Sequence, residues 1–92
     1  MSMETKILRR NIEKYLEAKV DGEMVLMHLD TAAYFGMDKT TTHIWELLED
    51  RMSLDQLVGK LTTLYDVDAE TCKSDILPVV QDMIEKEFLI PN

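Results

Sequence analysis

Features that mark several common functional classes are scarce in this chain. Its 92 residues include a single cysteine, Cys72, so no intrachain disulfide can form, which fits a reducing compartment. No stretch approaches the roughly 20 apolar residues that span a bilayer, and the N-terminal residues lack the apolar run of a signal peptide. We therefore expect a cytoplasmic protein with no membrane partner.

Basic residues are sparse beyond the first twenty positions. The formal net charge is −8, and residues 21–92 hold five basic against fifteen acidic side chains. Such a surface does not suit the phosphate backbone of nucleic acid, so we expect no nucleic-acid partner. The acidity would attract a basic partner, although it can also serve solubility alone.

The residues that carry catalytic or metal chemistry are not grouped in a recognisable pattern. His28, His43 and Cys72 are separated by 15 and 29 residues, which matches no ligand spacing. Cys72 is predicted on the apolar face of a helix with Glu70 and Asp75 nearby, which raises a thiol pKa and disfavours a nucleophile. The prediction is a binding protein rather than an enzyme, with no cofactor and no metal.

Strand signals dominate the N-terminal half. The even positions of 11–20 are apolar except for Lys14, a pattern near period two that predicts a strand, although Tyr15 on the opposite face leaves a helix open. Asp21-Gly22 predicts a two-residue hairpin turn, in which both positions need positive φ. Residues 24–29 are apolar on both faces, which predicts a central or covered strand.

A third short strand and two helices are predicted next. After a turn at residues 30–32, the third strand runs from Ala33 to Met37. Asp38 is the expected N-cap of a helix that ends near Glu49. Ser53 and Gln56 have the spacing of a capping box, which starts a second helix.

The last helix begins after the expected N-cap Asp68 and contains an internal proline. Pro78 removes a hydrogen bond to Ser74 and clashes with its carbonyl. The sequence leaves two alternatives: a helix kinked at Pro78, or a helix that ends near Ser74 and is capped again there. Residues 88–90 form a hydrophobic tail.

The resulting fold class is α+β: three short N-terminal antiparallel strands followed by three helices. Residues 1–10 are polar and basic, and are predicted to be a flexible N-terminus. Residues 11–92 are predicted to form a single domain.

Six segments of the chain, taken in order, carry a family resemblance: DGEMVLMHLD, YFGM, HIWELLED, SLDQLVGKL, YDVD and DILPVVQDMIEKEFL. With these segments, residues 22–89 resemble the PqqD-like family, which comprises the pyrroloquinoline quinone biosynthesis protein D and the leader-peptide recognition elements of ribosomally synthesised, post-translationally modified peptide (RiPP) pathways. The resemblance implies a winged helix-turn-helix domain that binds peptides rather than DNA. Two positions depart from the family: Glu87 and Ala32 or Ala33 stand where relatives often have glycine, which argues against a positive-φ helix cap at Glu87.

The family resemblance also implies a binding site. A leader peptide adds as a further strand beside the third strand, and its side chains enter the cleft between that strand and the last helix. Main-chain bonds supply affinity, whereas alternate pockets supply specificity. The expected peptide-binding residues are Ala33, Tyr34, Phe35, Gly36, Met37, Val79, Asp82, Met83 and Lys86. Val79 and Met83 also fit a plain core assignment.

The implied function is a non-catalytic adaptor. It would capture the leader segment of a precursor peptide and present it to a separate modifying enzyme or leader peptidase, as in lasso-peptide biosynthesis. One alternative is a pyrroloquinoline quinone-type peptide chaperone for a radical S-adenosylmethionine enzyme. Another is a winged-helix DNA-binding regulator, which the acidic last helix disfavours. The unpaired edge strand leaves both a monomer and a homodimer open.

Overall fold

A computed structural model describes residues 6–92; residues 1–5, part of the segment expected to be flexible, lie outside it. Its elements are six strands and three helices. The strands are β1 (Ile7–Arg10), β2 (Tyr15–Val20), β3 (Glu23–His28), β4 (Tyr34–Gly36), β5 (Met52–Ser53) and β6 (Leu89–Pro91). The helices are α1 (Lys39–Leu47), α2 (Leu54–Leu64) and α3 (Ala69–Glu85). The α+β class is confirmed, but the described part has six strands where three were predicted.

A continuous antiparallel meander forms one of the two sheets, in the order β2-β3-β4. The β2–β3 hairpin turns through Asp21 and Gly22, with φ of 53° and 85°, which confirms the predicted turn. As predicted, β3 is the central strand. The facing of β2 differs from the expectation, because Tyr15 is buried whereas Leu16 and Val20 on the other face are exposed.

The turn between β3 and β4 is held by His28. Its Nδ1 atom accepts hydrogen bonds from the backbone N–H groups of Asp30 (3.1 Å) and Thr31 (3.3 Å). Its carbonyl accepts from the N–H of Ala32 at 2.8 Å. Ala32 has a φ of 59°, so this turn adopts the left-handed conformation at a position where glycine is frequent in the family. The imidazole therefore sets where β4 begins.

The second sheet, in the order β5-β1-β6, joins three distant parts of the chain. Here the structure differs from the sequence expectation, since Ile7–Arg10 forms a paired strand rather than a flexible segment. The physical reason is burial: Leu8 has no exposed surface and is paired with Met52 on one side and Pro91 on the other. The predicted hydrophobic tail is likewise a strand, β6.

The predicted N-caps of the helices are confirmed. Asp38 accepts the backbone N–H of Thr41 at 2.8 Å and starts α1 directly after β4. Ser53 and Gln56 form the reciprocal capping box of α2. The hydroxyl of Thr42 on α1 accepts the N–H of Met24 at 3.0 Å, which fixes α1 against the meander.

Helix α3 starts at the predicted cap Asp68 and continues unbroken past Pro78. The alternative in which the helix is capped again at Ser74 is therefore wrong. At the other end the expectation for Glu87 is also wrong, because this residue has a φ of 63°. The N–H groups of Glu87 and Phe88 bond the carbonyls of Ile84 (2.9 Å) and Met83 (2.8 Å), which is the Schellman pattern. These hydrogen bonds offset the cost of placing a non-glycine residue there.

Residue Asn11 joins the two sheets to the end of α3. Its side-chain Nδ2 donates to the carbonyl of Glu87 at 2.9 Å, and its backbone N–H donates to the carbonyl of Phe88 at 2.9 Å. Asn11 is buried, so these bonds satisfy polar groups that would otherwise be costly. One hydrophobic core lies between the sheets and helices, with Trp45 as its largest fully buried side chain. No helix within residues 6–92 is long and apolar enough to cross a bilayer.

Candidate peptide-binding site

Strand β4 lies at an edge of the meander. It pairs with β3 on one side, and no other strand of the described chain pairs with its second side. Tyr34 is 72% exposed, and Ala33 and Gly36 are also exposed. An edge of this kind presents free main-chain donors and acceptors to another extended chain.

The hydrogen-bond register shows which backbone groups of β4 are free. The N–H of His28 bonds the carbonyl of Ala33 at 2.9 Å, and the N–H of Met37 bonds the carbonyl of Met24 at 2.8 Å. Main-chain groups alternate in direction along an antiparallel strand, so Phe35 also bonds toward β3. The N–H and C=O groups of Tyr34 and Gly36 therefore point away from the sheet.

The opposite edge of the meander, β2, is chemically different. The same alternation directs the backbone groups of Glu17 and Lys19 outward. Both side chains are charged and ion-paired: Glu17 lies 3.3 Å from Arg10, and Lys19 lies 2.7 Å from Glu46. Charges on an edge strand discourage pairing with another chain. Strand β4 carries no charge, so of the two edges it is the one suited to strand addition.

Beneath β4 lies a cluster of three aromatic rings. The ring centroids of Phe35 and Phe88 are 5.3 Å apart, and Tyr15 lies 6.2 Å from Phe35 and 5.2 Å from Phe88. The arrangements are edge-to-face, which aromatic pairs prefer. Because Phe88 lies three residues after the end of α3, this cluster joins the inner face of β4 to the C-terminal end of the helix.

Tyr15 is fixed by a hydrogen bond to the end of α3. Its hydroxyl donates to the carbonyl of Lys86 at 3.0 Å. Burial, and secondarily the carboxylate of Glu87, raise the pKa of Tyr15 above its ordinary value of 10.0. The phenol therefore stays protonated, and this bond holds the helix end against the inner face of the sheet.

The nine residues predicted from the family resemblance fall into different environments. Tyr34 and Phe35 point to opposite faces of β4, as expected for consecutive strand residues: Tyr34 is exposed, whereas Phe35 is half-buried against the core. Met37 and Met83 are buried core residues, 4% and 1% exposed. This placement gives Met83 the core position that the sequence had left open as an alternative.

On α3 the remaining predicted residues differ in exposure. Val79 is half-buried and packs against the core. Asp82 and Lys86 are exposed and form an ion pair of 3.0 Å one turn apart. Spacings of three and four place all three residues on one face of the helix. The exposed predicted residues are therefore Ala33, Tyr34, Gly36, Asp82 and Lys86.

Two members of the aromatic cluster were not among the predicted site residues. Tyr15 interrupted the apolar pattern of β2, and its role became clear only from contacts to residues some 70 positions later, at the end of α3. Phe88 was assigned to a hydrophobic tail. A usable signal was present, since Phe35 and Phe88 are the only phenylalanines of the chain.

Three clefts of the described chain lie away from β4. Two of them, of 340 and 300 Å³, adjoin the β1–β2 connection. The third, of 210 Å³, is lined by Cys72, Tyr65 and neighbouring residues. Strand addition uses an open edge and does not require an enclosed cavity.

The residues considered for catalysis or metal binding are not arranged for it. Burial, then the carboxylates of Asp75 and Asp68, raise the pKa of the Cys72 thiol above its ordinary value of 9.0. A thiol in this setting is a poor nucleophile. Within residues 6–92, no three side chains of His, Cys, Asp or Glu are grouped to hold a metal ion.

The fold and the edge define a small α+β domain with an open, uncharged edge strand above an aromatic cluster. The family model for the coenzyme PQQ synthesis protein D (PqqD) matches residues 23–89, so the chain belongs to the PqqD family. No curated protein matches the sequence.

Three solved structures have the same fold. One is TbiB1 in complex with the TbiA(beta) leader peptide: identity is 32%, 88% of this chain and 93% of that chain are covered, and the TM-score is 0.77. A second is a lasso peptide synthetase B1 complexed with its leader peptide, at 25% identity, 91% and 98% coverage and a TM-score of 0.76. The third is the PqqD part of Methylobacterium extorquens PqqCD, a RiPP recognition element, at 21% identity, 91% and 88% coverage and a TM-score of 0.72. This last likeness shows the fold alone.

Proposed function

We propose that this protein is a leader-peptide-binding adaptor: it captures the leader segment of a precursor peptide as an added strand beside β4. The observation that carries the proposal is the free, uncharged edge of β4, where Tyr34 and Gly36 point their backbone groups outward. On the inner face of β4, Phe35 packs against the rings of Tyr15 and Phe88 in the aromatic cluster.

The comparisons support a peptide ligand. Two structural relatives, at 32% and 25% identity, were solved with leader peptides bound. They also favour the lasso-peptide pathway over the pyrroloquinoline quinone alternative, because one of these two is itself a lasso peptide synthetase B1. The proposed partner is accordingly a separate leader peptidase or modifying enzyme that receives the bound precursor.

A non-catalytic role fits the chemistry of the described residues. The buried Cys72 thiol has a raised pKa, and the carboxylates Asp38 and Asp68 serve as helix caps. The protein therefore contributes binding and positioning, and the partner enzyme contributes the reaction.

The direct test is an amide NMR titration of the ¹⁵N-labelled protein with the leader of the precursor peptide encoded beside its gene. The expected result is saturable binding, with the largest shifts at residues 33–37 and around residues 79–86. A scrambled leader of the same composition is the control and should leave these signals unchanged. Saturable shifts confined to other elements, or equal shifts with the scrambled peptide, would contradict strand addition at β4.

A further inference from the structure

The outer face of the meander, opposite the aromatic cluster, carries a row of large apolar side chains. Leu16, Met27 and Tyr34 are cross-strand neighbours on β2, β3 and β4. Leu16 is 53% and Tyr34 72% exposed. Exposed apolar side chains in register form one continuous surface that reaches the free edge of β4.

The adjacent row on the same face consists of small side chains. Ala18, Val25 and Gly36 are the next set of cross-strand neighbours. A Cβ atom placed on Gly36 would meet nothing within 4 Å. The second row is therefore a shallow apolar trough beside the larger Leu16-Met27-Tyr34 row, and it opens at the β4 edge.

An added strand would place side chains on this outer face at fixed positions. All strand pairs in the two sheets are antiparallel, so the added strand is taken as antiparallel. Tyr34 and Gly36 would then exchange main-chain bonds with two peptide residues that lie two positions apart. Side chains of directly paired residues lie on the same face, so both peptide side chains would extend the outer apolar rows.

We propose that the outer trough is a second recognition subsite, and that the peptide residue paired with Gly36 carries a large apolar side chain lying over Gly36 and Val25. This inference rests on the proposed function and adds a specificity element that faces away from the cleft beside α3. A strand glycine leaves unfilled space, which a cross-strand aromatic or long aliphatic side chain covers. Neither row contains a charged residue, so an apolar peptide side chain matches them better than a charged one.

The side chain of Tyr34 defines one wall of the subsite. It lies two residues from Gly36 on the same face of β4 and is 72% exposed, so it loses apolar exposure when a large neighbour is added. Peptide binding would thus be specified on both faces of the added strand. A peptide with strict alternation of apolar and polar residues would place apolar side chains either in the cleft beside α3 or on the outer trough, but not in both.

The test is a parallel selection from a phage-displayed library of random 16-residue peptides against the wild-type protein and Gly36→Val. The φ of Gly36 lies outside the positive region and its Cβ position is open, so valine fits the strand while filling the trough. The matched control is Ala18→Val, which adds side-chain volume to the same row two strands, or about 10 Å, from the edge. Thermal unfolding of both variants verifies that they fold.

The expected result is that peptides selected on the wild type share a large apolar residue at one outward position. Selection on Gly36→Val should replace that residue by Gly, Ala or Ser. Wild-type-selected peptides should bind Gly36→Val about fivefold more weakly, and Ala18→Val within about twofold of the wild type.

Two contrary outcomes have different meanings. If selected peptides shift the amides of residues 33–37 but bind Gly36→Val and the wild type equally, the outer subsite is disproved and the adaptor function stands. If every selected peptide shifts amides elsewhere and leaves residues 33–37 unchanged, strand addition at β4 and the subsite are both overturned.

Discussion

The two edges of the β2-β3-β4 sheet differ in what they offer to another chain. The outward-directed backbone of β2 belongs to Glu17 and Lys19, whose side chains are ion-paired with Arg10 and Glu46. The outward-directed backbone of β4 belongs to Tyr34 and Gly36, without any charge. Both edges have free main-chain groups, so free hydrogen-bonding capacity alone does not make a binding edge. The outer apolar rows reach both edges, so the charged side chains along β2 make the difference.

The strands also differ in what lies beneath them. The inner face of β4 places Phe35 on the aromatic cluster, so a peptide side chain entering there meets apolar surface. The inner face of β2 away from Tyr15 carries the two ion pairs, which a peptide would have to desolvate or break. The same sheet therefore has one edge that favours and one edge that disfavours an added strand.

The largest expected effect comes from removing an outward donor on β4. Gly36→Pro eliminates the N–H that would bond a leader peptide while leaving the β3 ladder intact. We expect affinity for a bound leader to fall by about 50-fold, since one main-chain bond is lost and its partner is left unsatisfied. Isothermal titration calorimetry measures the change.

Lys19→Pro is the matched control on β2, because it removes an outward N–H from the other edge. It should leave the affinity within about twofold. Equal losses for the two proline variants would show that the edges are not distinct in peptide binding.

The difference between the two edges can also be tested by removing the charges of β2. The double variant Glu17→Thr, Lys19→Thr removes both charges from that edge and introduces β-branched residues that favour strands. We expect self-association through β2, with a Kd on the order of 100 μM by sedimentation velocity. A Lys60→Thr, Glu70→Thr double variant makes the same net charge change on the helices and should not associate further. If the two behave alike, charge at β2 does not protect that edge.

A smaller effect is expected at the joint that holds Phe88 in the aromatic cluster. Glu87→Gly relieves the left-handed backbone, whose φ is 63°, and should raise the free energy of unfolding by about 0.5 to 1 kcal/mol. The ion pair with Lys14 that it removes is 3.9 Å long and exposed, so its loss costs little. The free energy of unfolding is measured in urea for Glu87→Gly and for the control Glu85→Gly. Glu85 lies in α3, so glycine there should destabilise the protein. Destabilisation by both substitutions would contradict the assignment of backbone strain to Glu87.

The smallest effect concerns pH and the helix that follows β4. The backbone N–H of Thr41, and then its side chain, hold the pKa of Asp38 below its ordinary value of 3.8. A lowered folded pKa contributes stability that is present above 3.8 and is lost as the pH falls through the folded value. Asp38→Asn keeps the cap but cannot titrate, so its stability should fall less between pH about 6 and about 2.5. If the wild type and Asp38→Asn lost the same free energy of unfolding over this pH range, ionisation of Asp38 would not contribute to the pH dependence of stability.

The sequence predicted the elements whose signals are local. The Asp21-Gly22 turn and the capping box at Ser53 and Gln56 are short patterns that fold in the same way in most contexts. The β5-β1-β6 sheet escaped prediction because its strands have two to four residues and partners up to 83 positions away, as for Leu8 and Pro91. No periodicity can be read from segments that short.

The candidate site was predictable only in part. Strand β4 followed from the local sequence, and its role in peptide binding followed from the family resemblance. Which of its backbone groups point outward followed only from the hydrogen-bond register. Met37 and Met83 share the apolar character of a groove and of a core, and the structure places both in the core. Sequence pattern cannot separate these cases, because both give the same stripe.

The most direct test of strand addition at β4 is a nuclear Overhauser measurement on the complex of ¹³C,¹⁵N-labelled protein with its unlabelled leader peptide. Phe35 bonds toward β3, so in an antiparallel addition it faces a peptide residue as a non-hydrogen-bonded pair, with Cα atoms about 4.5 Å apart. The account predicts a strong contact between the Hα of Phe35 and the Hα of one peptide residue. Strong contacts from the peptide to the backbone of Glu17 or Lys19, with none to Phe35, would contradict it.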